Sequence, residues 1–125
     1  MQRFTITTGA GFDANGVPLD AGKLAQALAT VRADLAATFG GYTEAETFGG
    51  WVNDRGELVT EPGRRFVILS NADNPSPGAH AHPIETAERV RAAFAQQSVV
   101  LEVDAPSVVF VTHPAPEPTT LKLSA

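Results

Sequence analysis

The run Tyr42-Thr43-Glu44-Ala45-Glu46-Thr47-Phe48-Gly49-Gly50-Trp51-Val52, then Asn53-Asp54-Arg55-Gly56 and Glu57-Leu58-Val59-Thr60, decides the architecture. Glu44, Glu46 and Phe48 fall on one side of a period-two pattern, and Thr43, Ala45 and Thr47 on the other. That alternation predicts a strand over 42–52. Gly56 accepts positive φ, and Asn53 and Asp54 favour tight turns, so the chain reverses here into a hairpin. The returning strand meets Glu61-Pro62-Gly63 and continues as Arg65-Phe66-Val67-Ile68-Leu69-Ser70. Pro62 predicts a bulge or bend between its halves.

Each side of this hairpin carries a helix and then a strand. On the N-terminal side Leu24, Leu28, Val31, Leu35 and Phe39 recur at three- and four-residue steps, which predicts an amphipathic helix over 21–39. Asp20 caps its start and Gly40-Gly41 closes its end. Before it, Phe4, Ile6 and Thr8 alternate with Thr5 and Thr7 in a strand that ends at Gly9-Ala10-Gly11. On the C-terminal side a loop over 71–83 is rich in Asn, Pro, Gly and His. A second helix begins near Pro83, with Ile84, Ala87, Val90 and Phe94 on its buried face. Strands over 98–103 and 107–112 follow, separated by Asp104-Ala105-Pro106. The order is β-α-β-β-α-β plus one extra C-terminal strand. This is an α+β, ferredoxin-like antiparallel sheet with both helices on one face. A single domain over 1–113 and a Pro-rich tail over 114–125 are expected.

Helices shield only one face of such a sheet. Phe66-Val67-Ile68-Leu69 and Val99-Val100-Leu101 place apolar groups on both. The second face therefore needs a cover, from the extra strand and tail or from another subunit. A homo-oligomer is the expectation.

Composition narrows the chemistry. The 125 residues, of 13.1 kDa, suit one ordinary core. Fourteen acidic against nine basic side chains give a net charge of −5, which argues against a nucleic-acid partner. Cysteine is absent, excluding disulfides, thiolate nucleophiles and cysteine-ligated metals. Residues 1–7 lack the apolar run of a signal peptide, and nothing approaches the roughly 18 apolar residues of a membrane span. A soluble, cytoplasmic protein without a membrane partner is expected.

The local motifs are mostly turns. Gly9-Ala10-Gly11 follows a strand, but a loop rather than a helix comes next, so it is read as a strand exit and not a phosphate cradle. Asp13-Ala14-Asn15-Gly16 has its glycine at the wrong position for a calcium loop. His80-Ala81-His82, with His113 as a conceivable third ligand, reads as solvated loop histidines, and no metal or other cofactor is expected. The chain has no Gly-x-Ser-x-Gly elbow, His-Glu-x-x-His or Walker sequence. What remains is Glu44, Glu46 and Glu61 on or beside a sheet, with Trp51 nearby. Such acids usually form an exposed edge. The sharper reading has Glu61 and Trp51 flanking a pocket for a cationic or heterocyclic ligand.

Two resemblances rest on these residues. Gly41-Tyr42-Thr43-Glu44, Gly50-Trp51, the Asp54-Arg55-Gly56 turn, Glu61 before an apolar strand, and Gln96-Gln97-Ser98-Val99-Val100 together resemble small bacterial and phage proteins of ferredoxin-like shape. That likeness covers 3–103 and implies a fold but no activity. More distantly, the layout is similar to phage-type S-adenosylmethionine lyases, with Glu61-Pro62 standing where those enzymes pair two acids. The resemblance implies PII-like trimers, sites between subunits, and conversion of S-adenosylmethionine to methylthioadenosine and homoserine lactone without a cofactor, in the cytoplasm of a phage-infected host. It implies a catalytic Glu61 and substrate contacts from Trp51, Glu44, Gln97 and Thr7. The alternatives are a non-catalytic phage or bacterial assembly protein, and a nucleotide-binding module without turnover.

Overall fold

A computed structural model of the chain describes residues 1–70 and 83–109. Its elements are β1 (Gln2–Gly9), α1 (Ala21–Phe39), β2 (Thr43–Val52), β3 (Leu58–Ser70), α2 (Pro83–Ala93) and β4 (Val100–Asp104). The strands form one sheet in the order β2-β3-β1-β4, every neighbouring pair antiparallel. Two helices against a four-stranded antiparallel sheet in this order make the ferredoxin-like, α+β arrangement.

Local chemistry sets the boundaries. The Asp20 carboxylate accepts from the Lys23 N–H at 2.8 Å, satisfying one of the donors a helix start leaves open. Gly40 takes the left-handed conformation, φ 80°, and returns its N–H to Ala36, ending α1. In the hairpin turn, Asn53 Oδ1 accepts from both the Arg55 and Glu57 N–H groups.

Periodicity then determines burial. Phe4 and Ile6 of β1 and Phe66 and Ile68 of β3 point to the helices, each 1% exposed or less. Leu28, Val31, Leu35 and Phe39 of α1 and Ala87, Val90 and Phe94 meet them in one core. Phe66 sits against the rings of both Tyr42 and Phe94, with centroids 6.3 Å away in each case. Arg89 of α2 reaches Asp34 of α1 at 2.8 Å and ties the helices at the surface.

The other face carries the alternate residues, among them Thr7, Arg65, Val67, Leu69 and Val100, and neither helix covers it. Val100 is 58% exposed and Leu69 36%. Of the extra strand over 107–112, residues 107–109 have no regular structure and the rest lies outside the described residues. So do His80, His82, His113 and the tail over 114–125. None of the described helices is long and apolar enough to cross a membrane.

Two expectations need correcting. Ile84, expected on the buried face of α2, is 64% exposed, because the face that meets the core runs through Thr86, Ala87 and Val90 and leaves Ile84 well round the helix from it. The second concerns Pro62. β3 runs unbroken through Pro62, without separating into two halves. In an antiparallel strand a residue's N–H and C=O face the same side. The Pro62 carbonyl accepts from Ala10 at 2.9 Å, so its missing donor faces the side where β1 has just ended. Its pairing with Phe48 of β2 needs no donor there, and the strand survives.

Candidate functional site

Beyond Thr47 and Gly63, β2 and β3 outrun β1 and pair only with each other. This ribbon, the exit of β1, the loop after it and the segment entering β4 surround a cleft of about 830 Å³. Its size lies within the roughly 300–1,000 Å³ typical of small-molecule sites.

Register explains which side chains reach it. Residues facing one another across an antiparallel pair share a face. Glu61 lies opposite Gly49, and Trp51 opposite Val59, all on the face away from the helices. Gly49 presents no side chain to the Glu61 carboxylate, which leaves room beside the indole. Trp51 is 53% exposed. Thr7, on the same face, accepts from the Arg65 Nε at 3.3 Å and also borders the cleft. Gln97 lines it from the segment before β4.

Four of the five residues singled out from sequence, Glu61, Trp51, Thr7 and Gln97, therefore border one cleft. Glu44 is not brought there. Its partner across the ladder is the buried Phe66, so it points to the helix side. There Arg32 grips it in a two-pronged contact at 2.7 and 2.8 Å, and Arg64 approaches to 3.3 Å. The hydrogen bonds from Arg32 hold the Glu44 carboxyl below the usual carboxylate range, against the opposing effect of burial, with the charges of Arg32 and Arg64 adding to them. This is an ion-pair cluster fastening β2 to α1 and β3, and Glu46 joins it through Arg64 at 3.3 Å.

The structure adds a residue that the sequence reading passed over. Gln96, adjacent to Gln97, is 8% exposed. Its Nε2 donates to the Phe12 carbonyl at 2.6 Å and the Phe94 carbonyl at 2.9 Å. The turn that buries it closes α2 in a Schellman arrangement: Gln96 N–H returns to Arg91 and Ala95 N–H to Ala92, with Ala95 at φ 52°. Residue type alone does not tell which of two adjacent glutamines such a turn tucks inward.

Glu61 is also singled out by its environment. Its Oε2 is buried and accepts no hydrogen bond. Such a group is uncommon and asks for an explanation. Among the described residues no group of histidine, aspartate and glutamate is arranged to hold a metal ion.

No family model and no curated protein matches the sequence. Solved structures do. A phage SAM lyase in complex with S-methyl-5'-thioadenosine superposes with a TM-score of 0.52 at 17% identity, covering 82% of this chain and 79% of that one. A phage SAM lyase in its apo state gives 0.54 at 17%, over 82% and 78%. The periplasmic divalent cation tolerance protein CutA from Archaeoglobus fulgidus gives 0.51 at 8%, over 88% of each chain. At such identities the shared property is the fold, here the PII-like form of the ferredoxin-like arrangement, and the distant likeness to phage SAM lyases holds at that level.

Proposed function

We propose that this protein is a homo-oligomeric S-adenosylmethionine lyase, its cleft holding the substrate where subunits meet. The observation that carries this reading is the buried, unpaired Glu61 oxygen beside an exposed indole in a cleft of adenosyl size. A cationic ligand with a heteroaromatic ring answers both features: the carboxylate meets positive charge and Trp51 offers a stacking face.

The reaction suits this lining. The substrate's own carboxylate oxygen attacks the carbon attached to sulfur, and the carbon–sulfur bond breaks. Its electron pair stays on sulfur, giving neutral methylthioadenosine and homoserine lactone. No proton, metal or protein nucleophile enters the balance. The protein has to fold the substrate into attack geometry and exclude water, because opposite charges vanish as the transition state forms. Gln97 and Thr7, at the cleft edge, supply polar contacts for orientation.

The cleft is open on its outer side. On the ribbon beside it, Phe48, Val52 and Leu58 share one face and are 74%, 67% and 70% exposed. A two-stranded ribbon with such a surface is marginal alone. These three side chains lie on the helix side of the ribbon, the face opposite to that of Glu61 and Trp51. A second copy therefore walls the cleft only by clasping the ribbon from both sides, in the trimer that the likeness to phage lyases implies. The same exposed ribbon favours a second reading, a non-catalytic assembly protein.

Thermal denaturation with added S-methyl-5'-thioadenosine separates these readings. Saturating ligand near 100 times its Kd raises stability by about 2.7 kcal/mol when the site is real. Stabilisation without turnover of S-adenosylmethionine identifies a nucleotide-binding module. No stabilisation by any adenosyl compound contradicts the adenosyl reading and leaves the assembly role.

A further inference from the structure

The Gln96 carboxamide has its orientation fixed by chemistry. Only an NH2 group can donate to the two carbonyls of Phe12 and Phe94, so the Oε1 must face away from them. It faces Gly9. A Cβ at that glycine would lie 2.8 Å from Gln96 Oε1 and 2.9 and 3.0 Å from the two Glu61 oxygens. The missing side chain at position 9 is thus what lets three acceptor oxygens converge. No donor among the described residues lies between them, and one of the three, Glu61 Oε2, is buried and unpaired.

Acceptors gathered without a donor repel one another and forfeit hydration. A ligand group that relieves this carries positive charge and several N–H donors. A primary ammonium has three, one for each oxygen. A sulfonium has none.

We infer that Glu61 and Gln96, over Gly9, form an ammonium-binding subsite that selects ligands carrying a primary amino group. The inference rests on the adenosyl reading above and specifies which charge of the substrate Glu61 holds. Reaction energetics point the same way. During lactone formation the sulfur loses its positive charge, so a carboxylate beside it would stabilise the ground state more than the transition state and slow the step. The ammonium keeps its charge throughout. A carboxylate on that group anchors the amino-acid end without opposing the reaction. Gln96 binds alongside Glu61 and also holds the Phe12 loop, linking ligand recognition to the cleft wall.

Calorimetry with two unreactive ligands tests this. S-adenosylhomocysteine has the ammonium and a neutral sulfur; its deaminated counterpart lacks only the amine. The wild type should bind the amino compound at least about tenfold more tightly, the usual scale for charged hydrogen bonds. Glu61→Gln keeps the side-chain shape and should bring the two affinities within about twofold, while Gln96→Met should narrow the gap part of the way. Equal binding of both compounds by the wild type overturns the ammonium assignment and leaves the adenosyl reading standing. Binding of neither overturns both.

Discussion

The Ala14 N–H donates to the Ala95 carbonyl across 2.7 Å, tying the loop after β1 to the end of α2. Ala95 reaches that position in a left-handed backbone, φ 52°, which costs an L-residue roughly 1–2 kcal/mol. The turn also delivers Gln96 to the Phe12 carbonyl. Both contacts build the same cleft wall. Ala95→Gly should relieve the strain and, after the extra chain entropy of glycine, stabilise the fold by about 0.5–1 kcal/mol in urea denaturation. A loss of stability would show that this turn is not held as described.

Gly9→Ala is expected to weaken adenosyl binding at least about tenfold, because its methyl would press on Gln96 Oε1 and both Glu61 oxygens at 2.8–3.0 Å. These are side-chain atoms that can move, so the fold should persist with a penalty of about 1–3 kcal/mol. Circular dichroism and calorimetry on the same preparation check both halves. Unchanged affinity would mean that the oxygens do not converge on the ligand.

Glu44→Gln should destabilise by about 1–2 kcal/mol at neutral pH, by removing charge from the Arg32 and Arg64 contacts. The folded-state pKa of Glu44 is lowered, so its contribution is complete above the unfolded value and fades as pH falls through the folded one. Wild type and variant should therefore converge in stability in acid below that folded value. A difference that persists there would point to altered packing.

How much of this was legible in the sequence depends on what each feature rests on. The helix over 21–39 and its caps, Asp20 and Gly40, follow from local spacing and backbone chemistry, and α1 has those bounds. The six-element order follows likewise. The bend expected at Pro62 did not occur, because whether a strand proline interrupts pairing depends on which edge it faces, a property of β1's length. Glu44 looked equivalent to Glu61 as a strand carboxylate. Register places one beside Arg32 and the other opposite Gly49, and register is a nonlocal outcome. Gln96 was hidden by its neighbour Gln97, since only the left-handed turn at Ala95 decides which is enclosed.

Phe48→Glu and Leu58→Glu, separately, should shift the protein toward a monomer of 13.1 kDa in sedimentation velocity, with little change in helical content. Both side chains are at least 70% exposed, so the charge costs the isolated subunit little and the assembly much. A wild type that is already monomeric at micromolar concentration would remove the proposed cover of the cleft.

Turnover tests the central claim most directly. Purified wild-type protein, incubated with S-adenosylmethionine and followed by chromatography, should form methylthioadenosine and homoserine lactone in equal amounts, and Glu61→Gln should lower that rate by at least about a hundredfold. Product formation by the wild type no faster than the spontaneous background would contradict the account.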